Sequence, residues 1–190
     1  YRGRNVLNWV LINDEKEFGI TVHYIDKGID TGDIILQRSF EITDKDDYKS
    51  LLNKAYKHCP NILKESIDLI INKGVFSIQQ RSISENGLIC ARRIEGDEII
   101  NWENNSRTIF NFVRALTPPG PSAVSYCQGK KIKIKKVQLV ENSPNYIGVE
   151  GSILDKNNEE IIVKTKDSYI KIKSWEGDVN LRIGMRFTKK

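Results

Sequence analysis

Acidic side chains and glycines alternate in a polar segment at residues 26–33, which lies between two apolar runs. The run before it alternates apolar with polar residues from Phe18 to His23, and this period of two predicts a strand with one buried face. A carboxylate such as Asp30, on a loop between two buried strands, is where catalytic groups are commonly held. The segment by itself leaves a second interpretation open, in which Asp30 and Asp33 only form a turn.

Two glycines in the same segment, Gly28 and Gly32, bear on its conformation. We expect them to take positive φ angles or to let a ligand approach the backbone closely, where a side chain would block it. The apolar run that follows, from Ile34 to Phe40, predicts a second strand. The acidic loop would therefore join two strands of a rigid scaffold.

Helices are predicted on both sides of this pair of strands. An apolar stripe in residues 4–13 is typical of a short helix, and apolar positions three and four apart predict a long helix over residues 48–71. We expect Thr43 or Asp44 to cap the long helix and Pro60 to kink or split it. Alternating strands and helices indicate an α/β fold in which a helix covers a sheet.

The composition changes in the second half of the chain. A helix is predicted to begin at Asn105 or Ser106 and to end before the proline-rich residues 118–121. Isoleucines alternate with lysines in residues 130–136, so such strands should bury one face and expose lysines on the other. Strands are predicted at residues 122–127, 130–140, 151–154, 160–165, 169–175 and 185–187. They indicate a small open barrel or sandwich, with the boundary between two modules near Arg93.

Composition limits the class of protein. The chain has 190 residues, of which 39% are hydrophobic and 29% charged, values that suit an ordinary globular protein. Its net charge of +5 permits an anionic partner without requiring one, because the basic residues are spread along the chain. No apolar run approaches the roughly 20 residues needed to cross a bilayer. No signal peptide is evident, so we expect a cytoplasmic protein without membrane contact.

The three cysteines, Cys59, Cys90 and Cys127, are far apart and odd in number. We expect reduced, mostly buried thiols, as in a cytosolic protein. Histidines, cysteines and carboxylates show no metal-ligand spacing, so no metal site is expected.

Nine motifs follow one another in an informative order. They are Tyr1-Arg2-Gly3-Arg4, Leu7-Asn8-Trp9, Gly19-Ile20-Thr21-Val22-His23, Gly28-Ile29-Asp30-Thr31-Gly32-Asp33-Ile34-Ile35, Arg92-Arg93, Ile100-Asn101-Trp102, Val113-Arg114-Ala115-Leu116-Thr117, Pro119-Gly120-Pro121 and Gly151-Ser152-Ile153-Leu154. In this order they resemble the 10-formyltetrahydrofolate-dependent formyltransferase family over nearly the whole chain. The resemblance implies that residues 1–93 form the C-terminal part of a Rossmann-like catalytic domain. Residues 94–190 would form a linker helix and an OB-like β-barrel module.

The resemblance implies an enzyme that transfers a formyl group from 10-formyltetrahydrofolate to an amine. Arg4-Asn5, Trp9 and His23 are more similar to the sugar N-formyltransferases, which formylate a nucleotide-linked amino sugar for surface polysaccharide. The alternative is a methionyl-tRNA formyltransferase whose lysine-rich β module contacts tRNA, although such a lysine face is also typical of ordinary solvated strands. Formation of a homodimer is left open.

The same resemblance assigns roles to residues. Asp30 matches the catalytic Asp of the family, which would hold or charge-stabilise a His and help proton transfer. The loop residues expected to lie against the pterin of the folate are Ile29, Asp30, Thr31, Gly32 and Asp33. The residues expected on the sugar-nucleotide side are Tyr1, Arg2, Gly3, Arg4, Trp9 and His23.

Several of these residues have a purely structural alternative. A guanidinium suits a diphosphate, but Arg2 and Arg4 would equally form ion pairs at the start of the first helix. Trp9 would instead pack in the core or in an interface. His23 would instead be a strand residue with a satisfied hydrogen bond.

The other two catalytic groups of the family, an Asn and a His, belong to an Asn-x-His segment just before the Tyr-Arg-Gly motif. The chain starts at Tyr1 without a Met, so we expect it to be a fragment that lacks this segment. His23 aligns with a strand position and does not replace that His by pattern. We therefore expect a protein of residues 1–190 alone to show no formyl transfer.

Overall fold

A computed structural model describes residues 1–74, 77–83 and 87–189. The chain forms two compact units. The first comprises Tyr1–Val10 and Glu15–Arg93, and the second comprises Leu11–Asp14 and Ile94–Lys190. Each unit has its own β-structure.

The first unit is built on two small sheets. Its elements are β1 (Arg2–Gly3), most of α1 (Val6–Ile12), β2 (Glu17–His23), β3 (Ile34–Glu41), α2 (Tyr48–Lys73), α3 (Gln80–Ile83) and β4 (Ile89–Cys90). Strands β2 and β3 are antiparallel, β1 and β4 are parallel, and α2 packs against β2 and β3. The predicted order of strand, acidic loop and strand is therefore confirmed.

Helix α2 has a later cap residue than the sequence predicted. Asp47 caps it, because its carboxylate accepts from the Ser50 N–H at 2.8 Å and the Ser50 hydroxyl accepts from the Asp47 N–H at 3.0 Å. This reciprocal pair satisfies two donors that the helix itself leaves open. The expectation that Thr43 or Asp44 is the cap is wrong. Thr43 lies outside the helix, and its N–H donates to the Asp46 carboxylate at 2.9 Å.

Pro60 does not split α2, which runs unbroken from Tyr48 to Lys73. The prediction of a split is therefore wrong. Pro60 lies on the exposed side of the helix, where water can bond to the carbonyl that lacks an N–H partner. Two residues earlier, the His58 ring packs on Phe40 of β3 with centroids 4.5 Å apart.

Among its described residues, the second unit contains one complete helix and a five-stranded sheet. Its elements are α4 (Ser106–Arg114), β5 (Ala123–Cys127), β6 (Lys130–Gln138), β7 (Ile153–Lys156), β8 (Ile161–Lys164) and β9 (Tyr169–Glu176). The strands are antiparallel in the order β5-β6-β9-β8-β7. Asn105, one of the two predicted caps, accepts from the Thr108 N–H at 2.7 Å. Ile132 and Ile134 of β6 are buried, and the predicted alternation with lysines is confirmed.

The predicted barrel is not confirmed, because the described residues form an open strand order. The expected strand at residues 185–187 appears only as isolated bridges, from Arg186 to Ser152 and from Thr188 to Tyr126. Strand β7 begins two residues after the expected start, because Gly151 has a φ of +81°, which an extended strand does not adopt. At the coarser level the mixed α/β architecture is as predicted.

The cysteines are free thiols in three different environments. Cys127 is buried, Cys90 is half-buried and Cys59 is exposed on α2. Burial raises the pKa of the Cys127 and Cys90 thiols. The expectation of mostly buried thiols is wrong for Cys59, which lies on the solvent side of its helix. No helix in the described part of the chain is long and apolar enough to pass through a bilayer.

Candidate active site

A cavity of about 590 Å³ lies in the first unit beside the acidic loop, residues 26–33. Its wall combines apolar side chains from α1, β2 and α3 with polar groups from β1, the end of β2 and the loop. Five residues predicted for the site line it, namely Tyr1, Arg2, Gly3, His23 and Asp30. Apolar lining comes from Val6, Leu7, Ile20, Ile83 and Leu88.

Asp30 stands at the exposed turn of the loop with a left-handed backbone. Its φ is 52°, a conformation that costs a non-glycine residue about 1 kcal/mol. The side chain is 49% exposed while it also lines the cavity, so the carboxylate lies at the rim. The left-handed conformation that was expected at a glycine is found at Asp30. Neither Gly28 nor Gly32 has a positive φ.

Gly32 serves the other role expected of a glycine, close approach of the backbone. A Cβ atom at this position would lie 1.7 Å from the Tyr24 carbonyl oxygen. The group that comes close to Gly32 is therefore the protein's own backbone at Tyr24, where a ligand was expected. The close approach brings the loop against the end of β2, where His23 and Tyr24 lie.

His23 faces Asp30 across the cavity rim. Its Nδ1 lies 2.7 Å from the Tyr24 carbonyl oxygen, and because a carbonyl only accepts, Nδ1 carries the hydrogen and donates. In the neutral ring Nε2 is then the basic nitrogen, and it lies 3.8 Å from Asp30 Oδ1. From the sequence, His23 was expected on the sugar-nucleotide side and Asp30 against the pterin, whereas the structure brings the two side chains together.

Asp26, which the sequence analysis did not assign to the site, shapes the loop. Its carboxylate accepts from the Thr31 hydroxyl at 2.6 Å and from the Gly28 N–H at 3.0 Å. The bond from Thr31 and then the bond from Gly28 hold the pKa of Asp26 below its ordinary value. Thr31 is therefore engaged within the loop, and Ile29 beside it is 81% exposed.

Asp33 closes the loop onto β2. Its carbonyl accepts from the Tyr24 N–H at 2.9 Å, and its carboxylate accepts from the Ser77 hydroxyl at 3.2 Å. Asp33, Thr31 and Arg2 line a second cavity of about 470 Å³. Two of the residues predicted to meet the pterin thus border this second cavity.

Gln80, the first residue of α3, is a site residue that sequence reasoning missed. Its side-chain amide donates to the Asp30 carbonyl at 3.0 Å and to the Gly32 carbonyl at 2.6 Å. The sequence indicates a polar, turn-like segment at residues 79–85, of which residues 84 and 85 lie outside the described ranges, and this is wrong for Gln80–Ile83, which form helix α3. No sequence pattern links positions 50 apart. The link comes from paired hydrogen bonds between Ile78 and Ile34 at 2.8 Å, which hold this segment beside β3.

The residues at the start of the chain divide into two groups. Tyr1 lines the cavity, and its hydroxyl donates to Glu15 at 2.5 Å. Gly3 has a φ of +97°, and a Cβ there would lie 2.5 Å from a carbonyl oxygen of the paired strand β4. Arg4 and Trp9 are not part of the cavity wall, and the Trp9 indole donates to the Ala91 carbonyl at 3.2 Å.

Metal-binding groups would consist of clustered histidine, cysteine or acidic side chains. Within residues 1–74, 77–83 and 87–189, no group of three or more such side chains has a geometry that would hold a metal ion. The polar side chains at the cavity include a carboxylate, an imidazole and an amide, those of Asp30, His23 and Gln80.

Two profiles of one family match the chain on either side of its middle. The profile described as formyl transferase matches residues 1–67, which contain the acidic loop, and the profile described as formyl transferase, C-terminal domain, matches residues 94–180. The chain belongs to the formyl transferase family. Formyl transferases are one-carbon transfer enzymes that use 10-formyltetrahydrofolate.

Individual relatives carry two kinds of name. The bifunctional polymyxin resistance protein ArnA of Wigglesworthia glossinidia brevipalpis is 36% identical over 174 residues, which are 92% of this formyl transferase chain and 26% of that protein. The methionyl-tRNA formyltransferase of Thermodesulfovibrio yellowstonii is 34% identical over 173 residues, 90% of this chain and 53% of that protein. The chain thus spans about half or less of the length of these relatives.

Among solved structures, an N-formyltransferase from Helicobacter canadensis is similar. It was crystallised with folinic acid and dTDP-3-aminofucose. The TM-score is 0.72 at 28% identity, and the match covers 93% of this chain and 62% of that one. The formyl transferase fold therefore extends across nearly all of the chain.

Proposed function

We propose that this chain is part of an enzyme that transfers a formyl group from 10-formyltetrahydrofolate to the amine of a nucleotide-linked amino sugar. One observation carries the proposal. Asp30, in the Asp-Thr-Gly-Asp loop of a formyl transferase, holds its carboxylate at the rim of a cavity large enough for part of a folate. Names of sugar-modifying relatives support the choice of acceptor.

The proposed reaction is attack by a neutral sugar amine on the formyl carbon of the folate. A tetrahedral oxyanion forms, and a proton moves from the amine to the departing folate nitrogen. Asp30 would attract that proton and stabilise the positive charge that develops on the amine. Nε2 of His23 lies 3.8 Å from the same carboxylate, and as a second proton acceptor it would assist the same proton transfer.

The cavity offers different surfaces to the two substrates. Its apolar wall, with Leu7 and Ile20 among its members, suits the flat pterin. Arg2, which also lines the cavity, suits a phosphate, since a guanidinium donates two parallel hydrogen bonds to one anion. Arg4 and Trp9 would contribute indirectly, by fixing the segment that carries Arg2.

The family resemblance assigns an Asn and a His to a segment that precedes the Tyr-Arg-Gly motif. Neither His23 nor His58 has an Asn two positions before it. We therefore propose that residues 1–190 bind ligands but do not turn them over alone. An assay for tetrahydrofolate release checks this, and measurable turnover by these residues contradicts it.

The second candidate is methionyl-tRNA formylation, which the names of several relatives favour. In that case the second unit, as an OB-like module, would contact tRNA through its lysines. Three of those lysines are already paired: Lys171 and Lys173 contact Glu160 at 2.9 and 2.8 Å, and Lys135 contacts Glu176 at 2.6 Å. This internal neutralisation favours the sugar acceptor.

We further propose that the protein acts in the cytoplasm, and that formation of a homodimer is compatible with this function.

Ligand-dependent stabilisation tests the assignment. We expect 5-formyltetrahydrofolate, a stable analogue of the donor, to raise the melting temperature of the chain, and UDP- or dTDP-linked amino sugars to raise it further. At a ligand concentration 100 times its dissociation constant the gain is about 2.7 kcal/mol. Stabilisation by unmodified tRNA at low salt, with none by amino sugars, would transfer the assignment to the second candidate. No response to any folate would reject both.

A further inference from the structure

The amide of Gln80 makes two hydrogen bonds to the backbone on either side of Thr31. Its nitrogen lies 3.0 Å from the Asp30 carbonyl oxygen and 2.6 Å from the Gly32 carbonyl oxygen. Carbonyls only accept hydrogen bonds, so the NH₂ end of the amide must face them, and both of its hydrogens are used. The orientation of the side chain is therefore fixed by its partners.

These two bonds hold the backbone of residues 30–32 from outside the loop. The Asp26 carboxylate bonds within the loop, to Gly28 and Thr31, and the bond from Tyr24 to Asp33 secures the end of the loop. Gln80 links the exposed turn at Asp30 to a separate element. The residues that lead into this element, α3, are held beside β3, since Ile78 exchanges two backbone hydrogen bonds with Ile34.

We propose that Gln80 is a positioning residue for Asp30. Its two hydrogen bonds hold the left-handed turn, so the carboxylate stays at the cavity rim and 3.8 Å from His23 before a ligand binds. A loop ordered in advance loses less conformational entropy on binding, and the affinity is correspondingly higher. The inference rests on the proposed function, because it takes the folate as the ligand.

Three substitutions test the role of the amide. Gln80→Glu keeps the shape but sets a carboxylate against two carbonyls, which repel it. Gln80→Asn shortens the side chain by one methylene and cannot reach both carbonyls, and Gln80→Ala removes the amide. Gln138→Glu, at an exposed position of β6, is the matched control for the added charge.

Backbone order in the loop is the first measurement, made by ¹⁵N relaxation on the full chain without ligand. We expect order parameters at residues 29–32 to fall from about 0.85 to below about 0.6 in the Glu and Ala variants. Those of β2 and β3 should stay unchanged, as should all values in Gln138→Glu. Unchanged loop order in all three Gln80 variants overturns the proposal, even if the variants melt at lower temperature.

Affinity for 5-formyltetrahydrofolate is the second measurement. We expect about a tenfold loss in Gln80→Glu, which corresponds to about 1.4 kcal/mol, and a smaller loss in Gln80→Asn. Wild-type affinity in Gln80→Glu and Gln80→Ala overturns the proposal. If the wild-type chain binds no folate, the proposed function fails, and the order parameters alone decide whether Gln80 holds the loop.

Discussion

His23 and Asp30 meet at the rim of the cavity, with Nε2 of the imidazole 3.8 Å from Oδ1 of the carboxylate. The Tyr24 carbonyl accepts from Nδ1 and thereby directs the basic nitrogen toward Asp30. The two side chains come from the end of β2 and from the loop that follows it. Two proton-accepting groups are thus held close together within one short segment of the chain.

Replacing Asp30 with Asn should weaken ligand binding with little effect on the fold. The side chains are nearly equal in shape, but the amide has lost the charge, and a hydrogen bond to a charged group contributes about 1.5–3 kcal/mol. We expect the affinity for 5-formyltetrahydrofolate to fall at least tenfold by titration calorimetry. Asp68→Asn, on the exposed surface of α2, is the control and should bind like the wild type. Equal affinities in the two variants would remove Asp30 from the site.

The loop shows how far the sequence leads. Alternation of apolar residues predicts β2 and β3, because burial of one strand face leaves a period of two in the sequence. The acidic loop follows from its glycines and carboxylates. Which residue takes the left-handed turn does not follow, since Asp and Gly both tolerate it, and the structure selects Asp30. Gln80 escapes prediction because only tertiary pairing of Ile78 with Ile34 brings it to the loop.

The boundaries of α2 make the same point for the scaffold. Thr43, Asp44 and Asp47 are all good caps by residue type, and the choice among them depends on Ser50 completing a reciprocal pair with Asp47. Pro60 is tolerated because its side of the helix is exposed. The pairing of Asp47 with Ser50 and the exposure of Pro60 both depend on the surrounding structure, and the residue type alone does not reveal them.

Gly32→Ala should destabilise the first unit. The added Cβ would lie 1.7 Å from the Tyr24 carbonyl oxygen, and backbone must move to relieve the overlap. Overpacking of this kind costs about 1–3 kcal/mol, and here it also disturbs the carbonyl that orients His23. Gly19→Ala is the control, because the nearest atom beyond its chain neighbours, in the Gln37 side chain, would lie 3.8 Å from the added Cβ. Hydrogen exchange of the β2 and β3 amides measures the free energy of local opening. Equal values for the two variants would contradict the close contact between Gly32 and the Tyr24 carbonyl.

Asp46 should make stability depend on pH in the acidic range. Burial raises its pKa, but hydrogen bonds from Lys54, the Thr43 N–H and Ser50 outweigh this and lower the pKa to about 2 from 3.8. A lowered pKa stabilises the fold above the unfolded-state value, and the stabilisation, about 2 kcal/mol, is lost as the pH falls from about 4 to about 2.

Urea unfolding of the wild type and Asp46→Asn at several pH values measures this contribution, followed by amide signals of β2 and β3. The free-energy difference between the two proteins should be constant from pH 7 to 5 and should shrink toward pH 2. The variant cannot titrate at this position, so subtraction removes the effect of other carboxylates. A difference that is independent of pH would show that the Asp46 carboxylate contributes no charge-dependent stability.

Glu160 should control how strongly the second unit attracts polyanions. Its carboxylate pairs with Lys171 at 2.9 Å and Lys173 at 2.8 Å, and hydrogen bonds from Lys173 and then Lys171 lower its pKa. Glu160→Gln removes the negative charge and leaves both ammonium groups free to contact phosphates. Each added phosphate contact steepens the dependence of log K on log salt concentration by about 0.9. We therefore expect the variant to be retained on heparin to higher salt than the wild type, with a slope for duplex binding steeper by up to about 2. If the wild type already binds tRNA as strongly as the variant does, the lysines are not neutralised by Glu160, and the argument against a tRNA acceptor loses its basis.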